Sequence, residues 1–248
     1  MIPIKNPQEI EIIAQAGKKL AHVKEVVAHH IKPGVTLATL NRIAEEEIRR
    51  LGAQPAFQRV YGYKWATCIS VNSGVVHGIP SEYKIKPGDK ISVDVGIYYR
   101  GFNTDSAFTV GVPPVSAQVS RFIKTGKNAL KSATLQARPG KRVGDISQTL
   151  EQVLRGAGYS PVRMFTGHGV GRELHEEPVI PCFLEGKIEN TPTLAVGMVL
   201  AIEAIYTEGT PDIIIEEDKW TARTKDDKMG GLFEETVAIT KNGPVILT

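Results

Sequence analysis

The stretch Ile91–Val110, ISVDVGIYYRGFNTDSAFTV, predicts two strands joined by a tight turn, and this hairpin decides the fold. We place the turn near Tyr99-Arg100-Gly101. Asp94 and Asp105 lie symmetrically about it, so an antiparallel hairpin with a two-residue turn would set them face to face. A bulge at Gly101 would shift this register by one residue.

Two carboxylates at such close range in otherwise apolar strands need a compensating partner. Facing residues on paired strands have Cβ atoms about 5 Å apart, and like charges at that distance destabilise a sheet. Apolar surroundings raise the cost further. A shared proton, a divalent cation, or an open and solvated sheet face would each relieve the repulsion. The rest of the chain favours the cation.

Composition narrows the class of protein. The chain has 248 residues, 42% apolar and 23% charged, as expected for one large globular domain or two small ones. A net charge of +3 without a basic run argues against DNA as a partner. Cys68 and Cys182 are interpreted as reduced thiols. With neither a secretory signal nor a membrane span in view, we expect a cytoplasmic protein.

Capping signals and apolar periodicity predict four helices. Asn6, Pro7 and Glu9 form a helix start, and Pro33-Gly34 stops the helix that follows. The other three are expected over about 36–51, between Pro113-Pro114 and Pro139-Gly140, and over about 144–157. The first helix carries three histidines that we assign to its solvated side without a chemical role: His22, His29 and His30.

The chain contains an internal duplication. Residues 32–55, KPGVTLATLNRIAEEEIRRLGAQP, align without gaps to residues 138–161, RPGKRVGDISQTLEQVLRGAGYSP. We therefore expect two pseudo-symmetric halves, roughly 1–112 and 113–248, each with two helices and a β-hairpin. Continuing the comparison sets Asp94 against Glu203 and Asp105 against Glu234. It also matches two H-x-x-P segments, which begin at His77 and His175.

Two such halves facing each other would bring four carboxylates into one cleft. A glycine-flanked histidine in TGHGVG completes the candidate ligand set, which is Asp94, Asp105, His168, Glu203 and Glu234. Oxygen ligands with one imidazole suit an open, hydrolytic two-metal site for Mn(II), Fe(II), Co(II) or Zn(II) rather than a structural zinc site.

Other interpretations of these motifs stay open. The glycines around His168 are also compatible with a phosphate loop, although G-x-G-x-G lacks the spacing and the lysine of one. The third interpretation is that His168 is a core histidine whose hydrogen bonds are all made within the protein. Glu234 and Glu235 are adjacent, so only one of them shares a strand face with the site. The duplication selects Glu234.

Five motifs, VVHGIP, VDVGIYYRGFNTDSA, GHGVGRELHEEP, GMVLAIEAIY and FEETV, resemble in order and spacing those of the type I methionine aminopeptidases. The match covers essentially the whole chain. The resemblance implies the pita-bread fold, an α/β architecture of two pseudo-symmetric halves around a central antiparallel sheet, as a single catalytic domain over residues 1–248. It implies removal of the initiator methionine from nascent chains, two divalent metal ions as cofactors, and a monomer. Ribosome docking stays open.

The same resemblance implies residue roles. The metal ligands are the five candidates above. His175 contacts the scissile carbonyl oxygen, His77 lies near the scissile amide or the leaving nitrogen, and Glu203 is the catalytic base. Four residues fall where the family builds its methionine side-chain pocket: Tyr63, Cys68, Leu174 and Trp220.

The chain also departs from the family pattern. Glu235 replaces a usual histidine, Ser73 a usual acid, and Ala204 a usual proline. We interpret Glu235 as an extra acid beside the site, able to shift its metal preference. Two competing hypotheses are a proline-directed peptidase of the same fold and a pseudoenzyme that binds peptides or ribosomes. The presence of every ligand type and both histidines favours an active enzyme over the pseudoenzyme.

Overall fold

The structure is a computed structural model that describes residues 2–248. Its α-helices are α1 (Pro7–His30), α2 (Leu37–Arg50), α3 (Ala117–Thr134) and α4 (Val143–Gly156), with short 3₁₀ helices at Phe57–Arg59 and Ile188–Asn190. Its strands are β1 (Gln54–Pro55), β2 (Thr67–Val71), β3 (Gly74–Val76), β4 (Lys90–Tyr99), β5 (Phe102–Gly111), β6 (Ser160–Pro161), β7 (Thr166–Gly169), β8 (Glu176–Pro181), β9 (Val199–Thr207), β10 (Ile213–Ile215), β11 (Ala222–Thr224), β12 (Gly230–Thr240) and β13 (Gly243–Ile246).

The four predicted helices are confirmed, and each end of α2 and α4 differs by one residue from the predicted bounds. The Asn6 side chain accepts a hydrogen bond from the Glu9 amide, and the Glu9 carboxylate accepts one from the Asn6 amide, which completes a capping box at the start of α1. The three histidines of α1 are exposed, as predicted. None of the helices in residues 2–248 is both long enough and apolar enough to cross a membrane.

One antiparallel sheet joins the two sequence halves. Its main path runs β1-β4-β5-β12-β9-β7-β8, with β2 on β4, β6 on β9 and β13 on β12. The hairpin β4–β5 follows α1 and α2, and the equivalent pair β9–β12 follows α3 and α4. The second pair is interrupted by β10 and β11, which form a separate three-stranded sheet with β3. The predicted α/β fold class is confirmed.

The alternation of side chains along the central strands separates the core from the site. Val93 and Val95 of β4 are buried in one apolar cluster with residues of α1 and α2. Leu200 and Ile202 of β9 are buried in another with residues of α3 and α4. Successive side chains of a strand point to opposite faces, so the residues between these positions face away from the helices.

Gly126 lies where the backbone of α3 packs directly against the sheet. A Cβ atom at this position would lie 2.4 Å from the Tyr206 hydroxyl oxygen and 2.6 Å from the Phe233 ring. The Tyr206 hydroxyl is itself held by donating to the Phe122 carbonyl at 2.7 Å. The backbone of α3 therefore reaches the sheet only because this residue has no side chain.

We predict that Gly126→Ala destabilises the protein by about 1–3 kcal/mol through overpacking, despite the better helix propensity of alanine. Gly156→Ala is the matched control, because it is also helical but a Cβ there has no atom within 4 Å. The control should be neutral or stabilising by up to about 1 kcal/mol. Urea unfolding midpoints test both, and equal effects of the two substitutions would contradict the packing argument.

Candidate metal centre and substrate pocket

The candidate ligands lie on the sheet face opposite the helices. Asp94, Asp105, Glu234 and Glu203 come from β4, β5, β12 and β9, which are consecutive in the sheet, and His168 comes from β7, the next strand. All five line one cavity. The sheet order therefore gathers the acids of both halves at one place, as the duplication predicted.

The register of the first hairpin differs from our prediction. Asp94 pairs with Ala107 and Asp105 pairs with Gly96, so the two acids are diagonal neighbours on one face. The prediction that they face each other directly is wrong, because the two-residue turn lies one position later than their midpoint. Arg100 and Gly101 form it, with φ of 51° and 94°. In the second half, Glu203 and Glu234 do pair directly.

Burial and mutual repulsion disfavour the charged forms of the four acids. Burial raises the pKa values of Asp94, Glu203 and Glu234 well above their usual range, and neighbouring carboxylates add to the effect. Burial raises the pKa of Asp105 to about 7. Without a positive charge nearby, these carboxyl groups therefore retain protons near neutral pH.

The cluster fits divalent cations. Asp94 Oδ1 and Glu234 Oε1 are buried without a hydrogen-bond partner among the described residues. Ligand atoms of Asp105, His168 and Glu234 lie within 4.8 Å of one another. Ionised carboxylates only accept hydrogen bonds, so a cation supplies both the missing partner and the missing charge. The donor set is rich in oxygen, as Mn(II), Fe(II), Co(II) and open Zn(II) sites are.

His168 is prepared to act as a neutral ligand. Its Nδ1–H donates to the Gly169 carbonyl at 2.8 Å, and a carbonyl can only accept. The lone pair is therefore on Nε2, which lies 3.7 Å from Glu203 Oε1. Burial lowers the pKa of His168 to about 4, which keeps the ring neutral at physiological pH. The core-histidine interpretation is disfavoured because the free nitrogen faces the acids.

His77 and His175 also line the cavity. Burial lowers the pKa of His77 to about 4, with a contribution from His175, and burial lowers the pKa of His175. The His175 ring contacts that of His168, with 4.4 Å between centroids, and the His77 ring contacts Phe165 at 5.1 Å. His77 has a φ of 59°, an uncommon conformation for a non-glycine residue. Both rings are neutral donors or acceptors near pH 7.

An apolar pocket adjoins the acids. Its walls include the four residues predicted from the family resemblance, Tyr63, Cys68, Leu174 and Trp220, and all four line the same cavity as the candidate ligands. The rings of Tyr63 and Trp220 meet edge to face at 5.0 Å. Tyr63 is held by a hydrogen bond from its hydroxyl to the Thr67 carbonyl. The pocket can therefore accept an apolar side chain next to the polar cluster.

Further wall residues were missed by sequence reasoning, namely Phe57, Val60, Val76, Met164, Phe165, Thr166 and Ile205. Alternation along β9 would have found Ile205, because it shares the strand face of Glu203 two positions on. Phe57 and Phe165 lie outside the periodic segments, in a 3₁₀ turn and a connection. No local pattern marks them.

Glu235 does not add an acid to the site, and our interpretation of it is wrong. It lies on the helix side of β12, where its carboxylate pairs with Lys24 of α1 at 3.2 Å. The same oxygen accepts hydrogen bonds from Ser106 and from Thr248. Strand alternation turns it away from the cavity into which Glu234 points.

Comparison with known proteins agrees with this geometry. A family model for metallopeptidase family M24 matches residues 11–241. Methionine aminopeptidases of Clostridium perfringens and Bacillus subtilis are 40% and 39% identical over 248 residues, which cover all of this chain and 99% of each relative. The structure of methionine aminopeptidase from Thermotoga maritima has a TM-score of 0.97 and 40% identity, over 100% of this chain and 99% of that chain.

A prolidase from Pyrococcus furiosus shares the fold more distantly, with a TM-score of 0.80 and 27% identity, and this chain covers 65% of it. Fold and site together define a metallopeptidase with the pita-bread architecture. The chain belongs to metallopeptidase family M24 and groups there with the methionine aminopeptidases. The predicted resemblance and fold are confirmed.

We predict that the metal-free protein loses stability as the pH rises from 7 to 8. In this range the unfolded state has released its carboxyl protons, whereas the folded state retains protons on the acids of raised pKa. Each retained proton makes the free energy of unfolding fall by about 1.4 kcal/mol per pH unit. The three site histidines are largely neutral in both states here, so they contribute little.

Denaturant unfolding after chelation measures this slope. Asp94→Asn should reduce it, and Asp227→Asn should leave it unchanged, because Asp227 is an exposed residue that pairs with Arg223 away from the cavity. Saturating Mn(II) should abolish the dependence. A metal-free protein whose stability is flat or increasing over this range would contradict the protonated cluster.

Proposed function

We propose that this chain is a metal-dependent aminopeptidase that removes N-terminal methionine from peptides and nascent proteins, and that residues 1–248 act as a single catalytic domain. One observation carries the proposal: the acids, two neutral histidines and an apolar pocket line the same cavity. The names of the relatives above point the same way.

We infer that the five candidate residues Asp94, Asp105, His168, Glu203 and Glu234 would hold two divalent ions, drawn from Co(II), Mn(II), Fe(II) and Zn(II). Bound ions of this kind act as Lewis acids and lower the pKa of water. The protein's part is a rigid, buried set of oxygen and nitrogen donors, with the His168 tautomer set by Gly169.

The histidines and Glu203 supply the proton chemistry. Neutral His175 would donate to the scissile carbonyl oxygen, where negative charge develops in the transition state. Glu203 would accept a proton from the attacking water and pass it toward the leaving amine. His77, which lines the same cavity, would lie near the scissile amide or the leaving nitrogen. His175 would thus act at the carbonyl oxygen, and Glu203 and His77 at the nitrogen side of the same peptide bond.

The apolar wall provides the specificity. Tyr63, Cys68, Leu174 and Trp220 would surround the methionine side chain, whose flexible thioether suits an aromatic and aliphatic lining. The nascent-chain substrate implies a cytoplasmic location, and we expect a monomer. Docking on the ribosome is part of the same hypothesis, without DNA or membrane partners.

Release of methionine from Met-Ala-Ser after chelation and addition of single metals tests the proposal. We expect no activity in the chelated protein and restored activity with at least one of Co(II), Mn(II), Fe(II) or Zn(II). Leu-Ala-Ser and Pro-Ala-Ser are the controls for the side-chain pocket, and an Xaa-Pro dipeptide tests the prolidase alternative. Binding of ions without release of methionine would support a pseudoenzyme instead.

The roles assigned to His175 and Asp105 predict that their substitutions impair different steps, turnover and metal binding. His175→Ala should lower kcat by about 10²–10³-fold with metal affinity retained, because it removes only a donor to the developing oxyanion. Asp105→Asn should instead weaken metal binding, because it removes a ligand charge. Calorimetric titration with Mn(II) beside steady-state kinetics separates the two. Equal metal loss in both variants would refute the assignment.

A further inference from the structure

A buried ion pair ties the N-terminal segment to the second half of the chain. Lys5 Nζ lies 2.5 Å from Glu176 Oε2, and the two side chains are only 3% and 7% exposed. The Lys5 amide also donates to the Gly197 carbonyl, which anchors this segment beside β9. Neither residue reaches the cavity, and no role proposed above uses either of them.

Glu176 directly follows His175 and begins β8. Its other carboxylate oxygen accepts a hydrogen bond from the Glu173 amide at 3.2 Å. The Gly171 amide in turn donates to the Glu173 carbonyl, which closes a tight loop over residues 171–176. One carboxylate therefore binds Lys5 on one side and the backbone of the loop on the other.

The packing around Gly171 shows how closely Lys5 fits this loop. A Cβ at residue 171 would lie 2.4 Å from Lys5 Cε and 3.0 Å from Glu176 Oε1. Asn103 fixes the same place from β5, where its amide and side chain both donate to the Gly171 carbonyl. The loop is thus clamped between the N-terminal segment and the first hairpin.

His175 depends on that clamp for its position. Its ring makes no hydrogen bond within residues 2–248, and the contact with the His168 ring is the only ring packing it has there. A histidine without its own hydrogen bonds is oriented by the backbone that carries it. That backbone is the loop held by Glu176.

We propose that Lys5 and Glu176 are positioning residues, which hold His175 at the scissile carbonyl through the loop 171–176. The inference rests on the proposed function. Removal of Lys5 leaves a buried carboxylate without its counter-charge, and such a group draws in water or rearranges the surrounding backbone. A displacement of about 1 Å in a group that stabilises the transition state lowers turnover by up to about 100-fold.

A second ion pair between the same two segments provides a matched control. Arg172 of the loop pairs with Glu9 of α1, and the Arg172 side chain is 69% exposed while that of Glu9 is 17% exposed. Removal of the exposed Arg172 guanidinium costs little, because water can take its place and Glu9 keeps its hydrogen bond from the Asn6 amide. Arg172→Met should therefore leave kcat within about twofold of the wild type.

Kinetics of the metal-loaded enzyme on Met-Ala-Ser provide the first test. We expect Lys5→Met to lower kcat by about 10–100-fold with KM changed by less than about threefold, because the displaced group acts in the transition state. Glu176→Gln should show a smaller loss, since its amide oxygen can still accept from Glu173. The double variant should lose less than the product of the single losses, because both charges are then absent. Circular dichroism establishes that each variant is folded.

Two further measurements separate positioning from general destabilisation. In a His175→Ala background, Lys5→Met should lower kcat by less than about twofold, because the residue through which it acts is gone. Hydrogen exchange should speed up at the Gly171 and Glu173 amides in Lys5→Met, with the central strands β9 and β12 unchanged. The exchange result does not depend on catalysis, so it tests the clamp even if wild-type protein releases no methionine.

Three results would overturn the proposal. One is a folded Lys5→Met enzyme with wild-type kcat. Another is the same fold-loss from Lys5→Met with and without His175. The third is unchanged exchange across residues 171–176. An inactive wild type with faster exchange in Lys5→Met would reject the proposed function and retain the clamp.

Discussion

The mutual repulsion of four buried carboxylates is the constraint around which this molecule is organised. Asp105, Glu203 and Glu234 are buried, Asp94 is half-buried with its Oδ1 covered, and burial opposes the charge of each. Within residues 2–248, no lysine or arginine lines the cavity with them. The remaining sources of neutrality are protons and metal ions, so the protein's stability and its chemistry depend on the same few atoms.

The sheet makes this concentration of charge tolerable by separating two environments. One face is filled by the helices and by apolar residues such as Val93, Val95 and Ile202. The other carries the acids. Polar residues that follow a ligand in sequence turn to the helix face, as Ser106 and Glu235 do, and there they meet Lys24. Because side chains alternate along a strand, the Glu235 carboxylate, which Lys24 neutralises, lies on one face of β12, and an acid of the cluster without such a partner lies on the other.

The two halves share a plan but have diverged where the substrate pocket lies. The first hairpin closes with the tight turn at Arg100 and Gly101, whereas the second is opened by β10 and β11. Trp220 lies between those two added strands and packs on Tyr63 of the first half. The candidate ligands are therefore arranged symmetrically, whereas the pocket wall beside them is asymmetric. Selective binding of one side chain needs such an asymmetric wall.

Sequence patterns predicted the elements and the ligand face better than the contacts between distant segments. Capping residues such as Asn6 and the match of Asp94 with Glu203 are local or repeated signals, and the structure bears them out. The hairpin register was missed because alternation specifies a face and not a pairing. The Lys5–Glu176 pair joins residues 171 positions apart, and no periodicity encodes such a partner.

The order of the strands along the chain also determines when the site can exist. Ser106 and Glu234, which are hydrogen-bonded neighbours across β5 and β12, are 128 residues apart. At the usual rate of protein synthesis, β12 is made roughly 6–25 s after the first hairpin. Throughout this interval Asp94 and Asp105 lack Glu234, and during its first part they also lack His168 and Glu203. A metal held by the proposed ligands would therefore bind only after both halves have been made and have joined.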